Sequence, residues 1–281
     1  MKRDIYADIT NRIVAAIEAN PGDPVMPWHR GGASEVPSNI ESGREYQGVN
    51  ILNLWVIGQL AGYTANVWGT YRQWQGAGCQ VRKAEKASPI VFYKTYEQEG
   101  DDGELETRRA IRSYSVFNAD QVDGYTAPEI QGLAPLDRLE EADRAVRATG
   151  AQVVEGGARA FYRPSTDTIH MPDGERFFDT AHGTRTENYY AVLLHELTHW
   201  TGHPDRCARE LGARFGSDAY AMEELVAELG AAFLCARLGI TPAVRDDHAQ
   251  YLANWLEVLR NDKRAIFAAA AKAQAAVDYI L

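Results

Sequence analysis

The chain has few cysteines, no long uninterrupted hydrophobic run and fewer basic than acidic residues. Its three cysteines, Cys79, Cys207 and Cys235, fit neither a disulfide framework nor a paired-cysteine metal site, so we expect small buried side chains. The most apolar stretch, residues 265–281, is interrupted by lysine, glutamine and aspartate, and the N-terminus lacks the apolar core of a signal peptide. These absences exclude a disulfide scaffold and predict a cytoplasmic protein that does not enter a membrane.

The remaining composition predicts a globular chain with an uneven charge distribution. Its 281 residues are 45% hydrophobic, and the formal net charge of −10 argues against a surface that attracts nucleic acid everywhere. Acids are concentrated at residues 97–106, whereas residues 71–96 carry five basic side chains against the single acid Glu85. We expect residues 97–106 to be a solvated loop between two strands and residues 71–96 to be locally basic.

Aromatic side chains lie among these basic residues, a mixture suited to single-stranded nucleic acid, in which bases stack on rings and the backbone follows positive charge. The alternative is that Trp68, Tyr71 and Trp74, spaced three apart, form a buried helix face beside solvated lysines. Composition alone does not choose between these interpretations. On the first, the residues predicted to contact DNA are Tyr71, Arg72, Trp74, Arg82, Lys83, Lys86 and Lys94.

The periodicity predicts an α+β protein of two domains, divided within a Gly- and Pro-rich stretch at residues 122–136. We place the first domain at 1–128 and the second at 129–281. The first begins with an amphipathic helix and a mostly apolar helix, and strands follow, so it is mixed α/β. The second begins with a helix and a short sheet and is mostly helical from residue 187 onward.

The segment HELTH places His195, Glu196 and His199 in the pattern HExxH. Residues four apart on an α-helix are offset by only about 40° and one turn, so both imidazoles can converge on one ion. Glu196 would lie beside that ion as a general base, and the alternative is a pair of histidines hydrogen-bonded inside a helix core. We predict a catalytic zinc site for amide hydrolysis, although manganese or another divalent ion would also suit the ligands.

Three acids compete to be the third protein ligand. Asp205 gives the order HExxHxxGxxD, similar to the metzincin pattern with Asp in place of the final His. Glu224 and Glu228 lie four apart on a later apolar helix, similar to the ligand and supporting acid of thermolysin-like zincins. We favour Glu224 as the ligand and Glu228 as its support, because a buried carboxylate needs a partner and a zinc-bound histidine needs an acid on its other ring nitrogen. Asp205, or Glu228 itself, is the alternative ligand.

Five stretches together resemble the ArdC-type antirestriction proteins of conjugative plasmids. They are GVNILNLW, GYTANVWGTYRQWQGAGCQVRKAEKASPIVFYK, RSYSVFNADQVDG, LLHELTHWTGH and YAMEELVAELGAAFL. The resemblance covers nearly the whole chain. It implies an N-terminal single-stranded-DNA-binding domain, related to the N-terminal part of TraC primases, joined to a C-terminal zincin-like metallopeptidase domain. Such proteins protect plasmid DNA from the restriction systems of a new host.

The chain departs from this family at one turn, where the usual RKGEKG reads RKAEKA, with Ala84 and Ala87 in place of glycines. If those glycines form a tight turn near DNA, the turn geometry or the affinity differs here. Two main functional interpretations stay open, beside a weaker third, a general housekeeping metallopeptidase that never meets DNA. In one, the protein binds single-stranded DNA and cleaves a protein, such as a component of a host restriction system. In the other, DNA binding alone protects the strand and the metal is structural, which a closed shell of four ligands would favour.

Overall fold

A computed structural model describes residues 4–19, 26, 28, 36–99, 105–127, 135–180, 183–211, 217–241 and 248–281. The helices are α1 (Ile5–Glu18), α2 (Val49–Ala61), α3 (Tyr71–Gly76), α4 (Pro135–Ala148), α5 (Arg185–Trp200), α6 (Asp218–Leu238), α7 (His248–Asn261) and α8 (Ala265–Ile280). The strands are β1 (Ser38–Asn39), β2 (Val67–Gly69), β3 (Gln80–Val81), β4 (Ser88–Glu99), β5 (Leu105–Asn118), β6 (Val122–Asp123), β7 (Gln152–Glu155), β8 (Phe161–Arg163) and β9 (Thr168–Met171). The predicted α+β fold class is confirmed.

A four-stranded sheet with the order β1-β2-β5-β4 organises the first half. β1 runs parallel to β2, and β5 runs antiparallel to both β2 and β4. β4 and β5 extend further into the acidic segment than predicted, because β4 continues to Glu99 and β5 starts at Leu105. Residues 100–104 of that segment lie outside the described residues.

Two asparagines of α2 cover the edge of this sheet. The side chain of Asn50 accepts from the N–H of Val91 at 2.9 Å and donates to the carbonyl of Val91 at 2.8 Å, as a neighbouring strand would. Asn53 donates to the carbonyl of Pro89 at 2.7 Å. Both asparagines are buried, so the helix that the sequence places in the core also satisfies the polar groups of an edge strand.

The second half contains a three-stranded sheet with the order β7-β9-β8 and five helices among the described residues. β7 is parallel to the central strand β9, and β8 is antiparallel to it. Helix α5 packs on β8 and β9, and α6 lies against both α5 and α8. None of the helices in the described part of the chain combines the length and the apolar character needed to cross a bilayer.

The two halves share one hydrophobic core. Helix α2 packs against α8, and α1 packs against α7. The rings of Trp55 in α2 and Phe233 in α6 lie 5.9 Å apart between centroids, and those of Tyr6 and Phe267 lie 4.7 Å apart. The predicted boundary between residues 128 and 129 falls at 128–134, which lies outside the described residues.

Candidate functional site

Helix α5, which carries the HExxH motif, is fixed at its start by a capping box. The Thr184 hydroxyl accepts from the N–H of Glu187 at 3.3 Å, and the Glu187 carboxylate accepts from the N–H of Thr184 at 3.0 Å. Glu187 also accepts from the hydroxyl of Thr241, just beyond α6, at 3.0 Å. One side chain therefore joins the start of α5 to the end of α6. His195 and His199 lie four positions apart, which brings both rings to one face of α5.

Helix α6 approaches α5 closely because Gly230 has no side chain. A Cβ atom at Gly230 would lie 2.5 Å from Cγ2 of Thr198, far inside van der Waals contact. Helix α6 begins after Ser217, whose hydroxyl accepts from the N–H of Tyr220 at 3.2 Å, and ends at Gly239 in a left-handed conformation. The close crossing brings the acids of α6 to the histidines of α5.

His195, His199 and Glu224 form the group of metal-binding side chains found among the described residues. Their ligand atoms all lie within 4.8 Å of one another. Nε2 of His195 is 3.7 Å from Oε2 of Glu224, and Nε2 of His199 is 3.5 Å from Oε1 of the same carboxylate. His195 is 4% exposed and Glu224 is 8% exposed, so the group is shielded from bulk water.

Each histidine faces a second carboxylate at its other ring nitrogen. Oε1 of Glu223 lies 3.2 Å from Nδ1 of His199, within hydrogen-bonding distance. Oε2 of Glu228 lies 3.8 Å from Nδ1 of His195. Acids in these positions fix the orientation and tautomer of a metal-binding imidazole, so that Nε2 points toward the ion. The sequence predicts this supporting role for Glu228 only, and Glu223 was missed.

Arg209 joins Glu223 to the C-terminal end of α5. Its guanidinium donates to the two oxygens of Glu223 at 2.9 and 3.0 Å, to the Thr201 hydroxyl at 2.8 Å and to the carbonyl of Thr198 at 2.6 Å. The Arg209 side chain is 3% exposed. A buried guanidinium is tolerated only with such a complete set of partners. Arg209 therefore fixes Glu223, which in turn orients His199.

Burial and the neighbouring carboxylates act in opposite directions on His199. Burial lowers its pKa, but the hydrogen bond to Glu223 and the charges of Glu224 and Glu196 outweigh that effect, so the pKa is raised. For Glu223, burial raises the pKa, while His199 and Arg209 lower it, and the net pKa lies below the usual value. Carboxylates therefore dominate the cluster and favour a bound cation.

Glu196 and the two alternative ligands, Asp205 and Glu228, occupy different positions around the cluster. Glu196 is 3% exposed on α5, and its charge acts on His199, so it lies beside the cluster. Asp205 lies outside the cluster, with a side chain that is 87% exposed and a carboxylate 3.6 Å from Nδ1 of His203. Glu228 faces Nδ1 of His195, the nitrogen opposite the one that faces Glu224. The geometry therefore favours Glu224 over both alternative ligands.

This donor set fits a divalent transition-metal ion. Two imidazoles and one carboxylate are the protein ligands typical of a catalytic zinc centre, which keeps another position for water or substrate. The same ligands also accept manganese, which prefers oxygen and tolerates imidazole. The backing carboxylates and the burial of the rings supply the orientation that either ion requires.

The predicted DNA contacts divide into buried and exposed residues. The prediction for Trp74 is wrong, because its ring is fully buried and its Nε1 donates to the carbonyl of Phe117 at 3.0 Å. Arg82 is exposed, but its guanidinium donates to the Glu85 carboxylate at 3.0 Å and to the carbonyl of Asp120. The other predicted residues are exposed, namely Tyr71, Arg72, Lys83, Lys86 and Lys94.

Sequence reasoning missed three residues that support the metal cluster. Glu223 directly precedes Glu224, and this doubled acid in an apolar helix was an available signal. Arg209 gave no such signal, since it lies in a loop and reaches Glu223 only after folding. Trp28 lies even further away in the chain, and its Nε1 donates to Oε1 of Glu228 at 3.4 Å. Contacts of this kind depend on tertiary structure and leave no local pattern.

Family models match both halves of the chain. Residues 3–117 match the N-terminal domain of the anti-restriction factor ArdC. Residues 140–272 match a zincin-like metallopeptidase domain. The second match contains the whole metal cluster, and the first contains every residue predicted to contact DNA.

Individual relatives match over the whole chain. Protein y4eC of Sinorhizobium fredii is 48% identical over 99% of this chain and 91% of its own length. Two Escherichia coli proteins named DNA primase TraC are 36% and 32% identical over the full chain, which spans only 27% and 20% of their lengths. Two crystal structures of the antirestriction protein ArdC from plasmid R388 are also similar, each over 99% of this chain and 97% of theirs. The metal-free structure superposes with a TM-score of 0.79 at 39% identity. The Mn(II)-bound structure superposes with a TM-score of 0.78 at 37% identity. The chain therefore belongs to the ArdC family of antirestriction proteins.

Proposed function

We propose that this protein protects incoming plasmid DNA from host restriction by binding the single strand and by cleaving a protein at a divalent-metal centre. One observation carries the proposal: His195, His199 and Glu224 each bring a ligand atom into a buried group within 4.8 Å, in a chain of the ArdC family. The Mn(II)-bound structure of the R388 relative supports metal binding. The substrate would be a component of a restriction system or another cytoplasmic protein.

The residues of the centre have separate roles in this proposal. His195, His199 and Glu224 would hold zinc or manganese, which when bound polarises a peptide carbonyl and makes a water more acidic. Glu196 accepts the proton of that water on its carboxylate and delivers it to the leaving amine. Glu223 keeps the imidazole of His199 in the binding orientation.

In the competing interpretation the metal ion is structural, and DNA binding alone protects the plasmid. A closed shell of four protein ligands would favour that interpretation. Asp205 is the acid that the motif offers as a fourth ligand, and its 87% exposed side chain lies outside the cluster. Among the described residues the group therefore offers three protein ligands, the number typical of a hydrolytic centre, which supports the first interpretation.

Two observations support DNA binding by the first half. The relatives named DNA primase match this half as well as the second, and exposed basic residues such as Lys83, Lys86 and Lys94 lie on its surface. A strand bound there would be covered during entry into the cytoplasm, where restriction occurs. Because the whole chain is acidic, we expect binding to be confined to this basic surface. Its affinity should fall as salt rises, because the basic side chains displace counterions from the phosphates.

Replacing Glu196 with glutamine tests the hydrolytic role. Glu196→Gln preserves the size of the side chain but removes the charge that accepts a proton, so we expect normal metal content and DNA affinity. Peptidase activity should fall by about 100-fold or more. Protection, measured as plasmid transfer into a restricting host relative to a non-restricting one, should fall with it. Glu257→Gln, at an exposed position on α7, is the matched control and should behave as wild type.

The outcomes separate the two interpretations when protein levels are matched. Full protection by Glu196→Gln, with metal bound, would mean that the centre is structural. Loss of the metal itself, measured by elemental analysis of purified protein, would mean that Glu196 helps to hold the ion and that the general base is misassigned.

A further inference from the structure

A cavity of about 1050 Å³ opens beside the sheet of the first half, away from the metal cluster. Buried side chains of the sheet, including Ile90 and Val116, line one side. The start of α2, at Gly48, and the α8 residues Phe267 and Gln274 line another. Both halves of the chain therefore shape this cavity, and none of its lining residues belongs to the metal centre.

Three exposed aromatic residues line the cavity, namely Phe92, Tyr93 and Tyr114, and the rings of Phe92 and Tyr114 lie together. Strand register pairs Phe92 with Arg112 and Ile90 with Tyr114, so these four side chains lie on one face of the β4–β5 hairpin. The rings of Phe92 and Tyr114 meet edge-on with centroids 5.5 Å apart. They are 50% and 44% exposed, which leaves much of each ring accessible. Rings held by a sheet in this way provide a surface on which bases stack.

Cationic side chains surround the two rings. Arg44 lines the cavity, and Arg112 and Lys94 lie on the same sheet face as the rings. Within the described part of the chain, none of these three side chains makes an ion pair. The acid among the lining residues, Glu45, is paired with Arg237 at 2.9 Å. Glu41 and Asp278 border the cavity through hydrogen bonds from the lining residues Gln73 and Gln274. Counted with these two acids, Glu45 and Arg237, the cations still outnumber the acids, so the local charge is weakly positive in a chain whose net charge is −10.

The polar wall of the cavity is largely bonded to itself. Nδ2 of Asn39 donates to Oε1 of Gln73 at 3.1 Å and to the hydroxyl of Tyr46 at 3.2 Å. The N–H of Gly48, at the start of α2, donates to Oε1 of Gln274 at 3.2 Å. The cavity therefore offers shape, stacking and charge rather than a set of hydrogen bonds that would select one base. Such a site accepts any base sequence.

From these observations we infer that the cavity receives unstacked bases of a DNA single strand, stacked on Phe92 and Tyr114, with the phosphates along Arg44, Lys94 and Arg112. The inference rests on the proposed DNA binding and names the surface that performs it. Paired bases in a duplex are enclosed in the stack and do not reach a concave site. The main contact with DNA would then lie on the face of the β4–β5 hairpin. Most of the contacts predicted from the sequence lie instead on α3 and in the turn that follows it.

Fluorescence anisotropy with a labelled oligothymidylate and the full chain tests the inference. Phe92→Ala and Tyr114→Ala should each raise the Kd by about tenfold or more, as expected when a base loses its stacking partner. Phe178→Ala, at a 71% exposed position in the second half, is the matched control and should not change the Kd. Tyr71→Ala, on α3, is the contrast and should change the Kd far less than the hairpin variants.

Photo-crosslinking with 5-iodouracil in the oligonucleotide gives a second measurement that does not depend on variant stability. Crosslinks at Phe92 or Tyr114 support the inference. An unchanged Kd for both hairpin variants, or crosslinks confined to Tyr71 and its neighbours, overturns the inference while DNA binding itself stands. If the wild type binds no oligonucleotide, both the inference and the proposed DNA binding are overturned.

Discussion

Ala84 has a φ of 72°, in the left-handed region where glycine is favoured. It is one of the two positions at which this chain has alanine where ArdC-type proteins usually have glycine. A Cβ atom in this conformation costs roughly 1–2 kcal/mol, because it approaches the carbonyl oxygen too closely. The single methyl group of Ala84 therefore strains the turn after β3. A glycine at this position, as in the usual family pattern, would not be strained.

We expect Ala84→Gly to raise the free energy of unfolding by up to about 1 kcal/mol, because relief of the strain exceeds the entropy that glycine adds to the unfolded chain. Denaturant unfolding would measure the change. Ala87→Gly is the matched control, since Ala87 is outside the left-handed region and glycine there only adds entropy to the unfolded chain. Equal effects of the two substitutions would contradict the explanation.

The positions of some functional residues could be predicted from the sequence, and those of others could not. The HExxH spacing placed the His195 and His199 rings together because helical geometry dictates their relative positions. Because a buried acid needs a partner, the sequence also predicts roles at the site for Glu224 and Glu228. Trp74 could not be assigned in this way, because a spacing of three fits both an exposed aromatic row and a buried helix face.

Among the secondary-structure elements, the crossing of α5 and α6 determines the metal cluster. Both histidines lie on α5, the carboxylate ligand lies on α6, and the approach of Thr198 to Gly230 sets the distance between them. Glycine within a helix costs roughly 0.5–1 kcal/mol relative to alanine, so its presence here indicates a packing requirement. The metal cluster therefore depends on a contact that includes none of its ligands.

We expect Gly230→Ala to destabilise the fold by about 1–3 kcal/mol and to weaken metal binding, because the new methyl group forces the two helices apart. Thermal unfolding and competition with a chelating dye would measure the two effects. Thr198→Ala removes the atoms nearest to the new methyl group, so the double variant should recover part of both losses. Gly76→Ala, where an added Cβ meets nothing within 4 Å, is the control. An unchanged metal affinity in Gly230→Ala would show that the crossing can relax without moving the ligands.

The elements were predictable where the pattern was local. The apolar character of α2 predicted a central helix, and the stretches on either side of the acidic segment predicted β4 and β5. The covering of the sheet edge by Asn50 and Asn53 was not predictable, because an asparagine in an apolar helix has no signal that identifies its distant partner. The ends of β4 and β5 were also misjudged, since acidic residues in a hairpin resemble a loop in sequence.

On the scale of the whole molecule, the predicted fold class was correct, but no sequence pattern indicates that the two halves share a core. The rings of Trp55 and Phe233 meet between the halves, and Trp28 reaches Glu228 behind the metal cluster. A composition change along the chain marks a boundary in sequence and contains no information about contacts across it. A domain division by sequence does not therefore imply two independent folding units.

We expect the whole chain to unfold in one cooperative transition, because separating the halves would expose apolar surface on both. A divalent ion bound only by the second half should then stabilise both halves, and a chelator should remove that effect. Calorimetry would count the transitions, and hydrogen exchange would report β4 and β5 separately from α5 and α6. Two transitions, with only one of them sensitive to metal, would contradict a shared core.

The meeting of Trp55 and Phe233 also bears on the inheritance of such chains. A recombination event that joined the first half of one relative to the second half of another would press together two apolar surfaces that had never been selected as a pair. Most such hybrids would be too unstable to be retained by selection. Genetic exchange should therefore transfer the two halves together. Substitutions on one side of the contact should be accompanied by compensating substitutions on the other side.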